Sequence, residues 1–161
     1  MAISAGDTIP QIDFTTMTAD GPGPISADAI FKDKKVILFG VPGAFTPTCS
    51  AKHLPGYVEH ADAIKAKGVD TIACMSVNDA FVMGAWGMDQ KVGDKVLLLA
   101  DGSAKFTNAA GLVLDLTERG LGVRCERFAM IVDDGVVSSI HVEGPGEFEG
   151  SSAEAILGQL G

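Results

Sequence analysis

Val36-Ile-Leu-Phe-Gly-Val-Pro-Gly-Ala-Phe-Thr-Pro-Thr-Cys49 decides how this chain folds. Its first five residues, Val36 to Gly40, form an unbroken apolar run, β-branched at its start, which suits a strand covered on both faces. Pro42 to Thr48 reads as a loop. From about Cys49 to Lys67 the apolar residues Leu54, Tyr57, Val58, Ala61 and Ile64 follow a helical pattern, and Gly68 stands where a helix-ending glycine belongs. Thr71 to Ser76 is a second buried strand. Strand, helix and strand in one short stretch make a βαβ unit, which requires a parallel pair.

Working outward, Pro10 to Met17 alternates loosely enough for a peripheral strand, and Gly21-Pro-Gly-Pro24 reads as a turn. Ser26 caps a short helix toward Phe31, and Asp79 caps another through Phe81, Val82, Ala85 and Trp86. Val96 to Ala100 is a third strand, followed by a short helix capped by Ser103. Phe128 to Val132, the turn signal Asp133-Asp-Gly135 and Val136 to Val142 predict a hairpin. Gly144 to Gly150 is a loop, and Ser152 to Leu160 a final helix. The parallel unit plus the hairpin give an α/β fold, a mixed central sheet with helices on both faces, with residues 1–161 as one domain. Ligands in such sheets sit beyond the carboxyl ends of the strands, here the loops Val41–Thr48 and Val77–Asp79.

Composition removes several function classes. Of 161 residues, 47% are apolar and 20% charged, which is globular rather than disordered. A net charge of −9 argues against a nucleic-acid partner, which calls for clustered cations. No apolar stretch approaches the roughly 20 residues of a membrane span, so no membrane partner is expected. The N-terminus lacks the basic and apolar segments of a secretory signal. Three widely spaced cysteines do not make a disulfide scaffold. A reducing compartment, the cytoplasm, is the expectation.

Chemistry concentrates around Cys49. At a helix N-terminus the dipole and unpaired backbone N–H groups favour a thiolate. Thr46, three residues earlier, is placed to turn its hydroxyl toward the sulfur, and Pro42 and Pro47 stiffen the loop. All three arginines, Arg119, Arg124 and Arg127, fall within nine residues and lead into the apolar strand at Phe128. A permanent cation entering a strand calls for an anion, and a thiolate is available. The plainer readings are a structural cysteine that begins a helix and an exposed arginine cluster paired with Glu118 and Glu126.

Pro42-x-x-x-Thr46-x-x-Cys49 resembles the active-site motif of the peroxiredoxins, and Arg127 sits where their remote arginine is expected. The fuller string Gly40-Val-Pro-Gly-Ala-Phe-Thr-Pro-Thr-Cys-Ser50, His53-Leu-Pro-Gly56, Ser76-Val-Asn-Asp-Ala-Phe81 and Trp86-Gly87 is similar to the type-II, peroxiredoxin-five-like subfamily. The resemblance implies a thioredoxin-like fold and reduction of hydroperoxides by a peroxidatic cysteine. Cys49 is then that cysteine, and Pro42, Thr46 and Arg127 complete its pocket. Chemically, the thiolate attacks the terminal peroxide oxygen while Thr46, Arg127 and nearby backbone N–H groups hydrogen-bond the peroxide. Preorganised donors of this kind are worth about 3–4 kcal/mol each in comparable sites. The sulfenic acid that results is reduced by a thiol. No cofactor is required, and Cys and His show no metal-ligand spacing.

The other cysteines are secondary. Cys74 lies inside the second strand, below the start of the helix, where a disulfide to Cys49 would require local unfolding, so it is read as core. Cys125, two residues before Arg127, shares its face if that stretch is extended. Some type-II relatives carry a resolving cysteine near the C-terminus, where this chain has Gly150-Ser-Ser-Ala153. Reduction by an external thiol follows, either glutaredoxin with glutathione or thioredoxin. Phe45, Phe81, Met83 and Trp86 are either core or an apolar patch for a homodimer, as in type-II relatives. His53 reads as a satisfied helix residue rather than a catalyst. Two rival classes stand beside the peroxidase: a thiol–disulfide oxidoreductase, which normally needs Cys-x-x-Cys where this chain has Thr46 in the first position, and a redox sensor without turnover.

Overall fold

Residues 2–160 are described by a computed structural model. In β3 (Lys35–Gly40), Ile37 and Phe39 point to one layer and Val36 and Leu38 to the other. The period-two alternation of a strand divides an apolar run between two cores. β4 (Thr71–Ser76) does the same with Ile72 and Cys74 against Ala73 and Met75. The two strands pair in parallel from Val36↔Thr71 to Gly40↔Met75, as the βαβ reading requires.

β1 (Phe14–Thr18), β2 (Gly21–Ile25), β5 (Leu97–Ala100), β8 (Phe128–Asp133) and β9 (Val136–Val142) complete a seven-stranded sheet in the order β2-β1-β5-β4-β3-β8-β9. β4 and β5 are parallel, and the two flanks are antiparallel. α2 (Leu54–Ala66), α3 (Ala80–Asp89) and α5 (Ala153–Leu160) supply Tyr57, Trp86 and Ile156 to the core on one face. α1 (Ala27–Phe31) and α4 (Lys105–Ala109) supply Phe31 and Phe106 to the other. The mixed sheet with helices on both faces is therefore observed. Among the described residues no helix is long and apolar enough to cross a membrane.

Two local expectations need correction, and one element is additional. Gly21-Pro-Gly-Pro24 is not a turn but most of β2. β2 is the sheet edge and pairs only with β1, with Met17↔Pro22 and Thr15↔Pro24 in register. Two residues apart, both prolines sit on the side of the strand that owes the ladder no N–H, the one place an edge strand tolerates them. Ser103 does not cap α4: Ala104 occupies the cap with φ +58°, and the Asp101 carboxylate receives the Phe106 and Thr107 amides at 3.1 and 2.9 Å. A two-stranded ribbon of β6 (Val113–Leu116) and β7 (Gly122–Cys125) went unforeseen. By contrast, Ser26 and Asp79 do cap their helices, accepting from the Ala29 and Val82 amides. The hairpin turns at Asp134 and Gly135, whose φ values of +47° and +78° suit the Asp-Gly pair.

Candidate active site

The loop leaving β3 is tied down before it reaches the thiol. The Ala44 amide donates to the Asn78 carboxamide oxygen at 3.0 Å, and the Ser76 hydroxyl donates to the same oxygen at 2.6 Å. Phe45 takes a left-handed φ of +65°, a conformation a bulky side chain rarely holds, and the Thr46 amide closes this turn onto the Gly43 carbonyl. Pro47 then opens the helix at a position whose N–H would lack a partner anyway. Cys49 lies in that first turn, with no solvent exposure.

The helix does not begin as a plain α-helix. Cys49–His53 is a π-turn, in which the Leu54 amide reaches back five residues to the Cys49 carbonyl. Pro55 accounts for it: it cannot donate to the Ala51 carbonyl, and its ring presses on that carbonyl, so the turn widens. The Trp86 indole N–H holds the turn from α3 by donating to the Ser50 hydroxyl at 3.0 Å.

Arg127 enters between β7 and β8. Its Nη2 donates to the Cys49 Sγ at 3.0 Å, and its Nη1 meets His53 Nδ1 at 2.7 Å. Among the described residues no carboxylate lies within ion-pair distance of this guanidinium. Glu118 and Glu126 do not pair with the arginine cluster, so the surface-cluster reading is set aside. Arg124 was not singled out by the sequence, yet its Nη1 donates to the Pro42 carbonyl at 3.4 Å and packs over Gly43, where a Cβ would come within 3.0 Å of it. Its signal was membership of the same three-arginine cluster.

Thr46 does not turn its hydroxyl proton toward the sulfur. The hydroxyl donates to the Gly43 carbonyl at 2.7 Å, leaving its oxygen free to accept. Pro42, Thr48 and Arg127 border a cleft of about 500 Å³ that Leu114, Leu116 and Pro145 line with apolar surface.

His53 is satisfied, as read, but it is also the partner of Arg127. It is fully buried, and its Nε2 bonds the Ser151 carbonyl at 2.9 Å. Burial first, and the Arg127 charge second, lower its pKa from 6.5 to about 3, so the ring is neutral. Phe148 covers it at 5.0 Å between centroids and lies 5.8 Å from the Arg127 guanidinium.

All three cysteines are free and buried. Cys74 points into the same core layer as Cys49, and burial, then the nearby Cys49, raises its pKa well above the usual thiol value. Cys125 does not share the site. It belongs to the opposite layer, donates to the Val41 carbonyl at 3.2 Å, and burial followed by Asp101 pushes its pKa up to about 12. The extended-strand assumption fails because β7 ends at Cys125, and Arg127 lies in the link between β7 and β8. Met83 and Trp86 are core, while Phe45 and Phe81 are 53% and 66% exposed.

A thioredoxin-like α/β sheet carrying one cysteine at a helix start beneath an arginine defines a class, a thiol redox protein. The redoxin family model matches residues 4–157. Peroxiredoxin-2B of Arabidopsis thaliana is 51% identical over 160 residues, covering 98% of either chain. Peroxiredoxin-2E of the same plant, a chloroplastic protein, is 47% identical, covering 99% of this chain and 70% of its own. The crystal structure of reduced Prx3 from Vibrio vulnificus in complex with hydrogen peroxide matches with a TM-score of 0.95 at 52% identity over 99% of both chains. The chain belongs to the redoxin family and, within it, to the type-II peroxiredoxins, the thiol-dependent peroxidases.

Proposed function

We propose that Cys49 is the attacking thiol of this peroxidase and that Pro42, Thr46 and Arg127 form its pocket. The observation that carries the assignment is the 3.0 Å contact from Arg127 to the sulfur, made by a cation with no carboxylate partner among the described residues. The Cys49 sulfur is the partner that the guanidinium meets in place of a carboxylate. The sulfur lone pair attacks the terminal oxygen of the hydroperoxide in line with the O–O bond. The S–O bond forms as the O–O bond breaks, the alkoxide or hydroxide leaves, and a proton converts it to alcohol or water. Cys49 is oxidised to the sulfenic acid and the peroxide is reduced. Thr46 Oγ, its own proton committed to Gly43, accepts the peroxide O–H. Arg127 donates to oxygen as charge moves onto the leaving group.

An external thiol then restores Cys49. Cys125 is in the other core layer, and the thiols of Cys74 and Cys125 are both held protonated by burial. A protonated thiol does not attack a sulfenic acid efficiently. We assign the reductant as glutathione with glutaredoxin, or thioredoxin. The homodimer is assigned to the face bearing Phe45 and Phe81, whose loops are joined through the Ala44–Asn78 hydrogen bond. A cytoplasmic location accords with three free cysteines and is tested by microscopy of the tagged chain in its host.

The deciding experiment gives the reduced protein one equivalent of peroxide and maps the product by mass. A single oxygen on Cys49, released by glutathione with glutaredoxin or by thioredoxin with its reductase, supports the cycle. A Cys49–Cys74 or Cys49–Cys125 disulfide refutes external resolution. Substantial turnover by Cys49→Ser refutes the site itself.

A further inference from the structure

Glu143 follows β9 and is 6% exposed, an uncommon place for a carboxylate. One of its oxygens accepts from three donors: the Glu149 amide at 2.6 Å, the Ser151 amide at 3.0 Å and the Ser151 hydroxyl at 2.7 Å. The other accepts from His141 Nε2 at 3.0 Å. Neither is spent on Arg127, although both side chains border the same cleft. The carboxylate instead folds the loop from Gly144 onward back on itself. Gly150 passes so close to the His141 ring that a Cβ there would lie 2.4 Å from it.

The folded loop aims one group inward. The Ser151 carbonyl accepts from the Tyr57 hydroxyl at 2.8 Å and from His53 Nε2 at 2.9 Å. A carbonyl cannot donate, so Nε2 carries the proton of the neutral ring and Nδ1 is left bare. Nδ1 is the atom that meets Arg127 Nη1. A guanidinium can only donate, so this pairing works with one tautomer alone. With the proton on Nδ1 two donors would face each other, and the guanidinium would be driven off the sulfur.

We infer that Glu143 is a positioning residue for peroxide reduction: through Ser151 and His53 it seats the Arg127 guanidinium on Cys49. The inference rests on the reading of Cys49 as the attacking thiol. Every link has one direction, from Arg127 to His53, from His53 to the Ser151 carbonyl, and from the Ser151 amide and hydroxyl to Glu143. The Gly144–Ser152 loop is thereby part of the active site without touching the sulfur.

The test combines ¹⁵N NMR of His53 with single-turnover oxidation of Cys49 followed across pH, in the wild type, Glu143→Gln and Glu143→Asp. The wild-type ring should show protonated Nε2 and unprotonated Nδ1. Glu143→Gln should yield mixed tautomers, a Cys49 oxidation rate lower by about 10- to 100-fold and a displaced pH–rate curve, as expected of misplacing a reacting group by about an ångström. Glu143→Asp should recover part of both. A folded Glu143→Gln with one His53 tautomer and the wild-type rate overturns the inference. If Glu143→Gln does not fold, the wild type still decides, because a proton on Nδ1 in the native protein breaks the relay outright. Turnover by Cys49→Ser would instead refute the catalytic reading and leave the tautomer result standing, so the two failures are distinguishable.

Discussion

His53→Gln should flatten the acid dependence of stability. The folded imidazole is buried and stays neutral until pH falls to about 3, whereas the unfolded chain takes up the proton near 6.5. Between those values the unfolded state binds more protons, so this residue's contribution to stability is present above pH 6.5 and is lost as pH falls toward 3. One pH unit inside the window is worth about 1.4 kcal/mol. The loss is therefore about 2 kcal/mol at pH 5 and about 4 kcal/mol at pH 3, where the folded ring is itself half protonated. At pH 5 the figure is set by the unfolded histidine, because the folded ring is already neutral there. The assay is urea unfolding of wild type and variant at pH 7 and pH 5, at one protein concentration. Subtracting the variant's pH response removes every group the two share. The wild type should lose about 2 kcal/mol more than His53→Gln between these pH values. Parallel responses, within about 0.5 kcal/mol, would refute the buried neutral ring.

Arg127→Gln should slow Cys49 oxidation at least about tenfold, about 1.4 kcal/mol of barrier, in stopped-flow peroxide mixing. Arg127→Lys should recover only part, since one ammonium cannot address sulfur and imidazole together; equal rates in all three proteins would exclude the arginine. Gly40→Ala places a Cβ 2.1 Å from the Phe128 ring and should cost about 1–3 kcal/mol in urea unfolding, partly relieved by adding Phe128→Leu. An unchanged midpoint would show that β3 and β8 pack otherwise. For the homodimer proposed on the face bearing Phe45 and Phe81, Phe81→Glu should shift sedimentation from dimer to monomer; a dimer of unchanged affinity would place the interface elsewhere, and a monomeric wild type would refute the homodimer.

What the sequence discloses follows from where the physics is local. The runs at Val36 and Thr71 are legible because strands buried on both faces need unbroken apolar residues. The Asp134-Gly135 turn is legible because only a few residues hold positive φ. β2 is illegible because its glycines and prolines spell a turn, and only the knowledge that it lies at an edge makes it a strand. β6 and β7, four residues each, pair across a short helical turn and are too brief for an alternating pattern to mark them as strands. In the site, Cys49 and its loop declare themselves by spacing, and Arg127 by being a cation at an apolar strand. His53, Ser151 and Glu143 are separated by up to 98 residues, and a partnership made only by tertiary folding leaves no spacing to read. The π-turn is half-announced by Pro55, which a helix pattern passes over because the apolar positions continue through it.

A guanidinium with no carboxylate partner among the described residues would make oxidation of Cys49 an electrical event. On the proposed cycle, the half-buried Arg127 faces the attacking sulfur of Cys49 and balances the negative charge the sulfur carries when it attacks. The sulfenic acid of that cycle carries no such charge, so a turnover would leave the guanidinium without its anion beside the cleft it borders. A half-buried cation without its anion is costly unless water reaches it, and the cleft is the way in. In the proposed cycle peroxide would thus loosen the site it has just used, at the moment when a reductant must reach a sulfur that has no exposure at all.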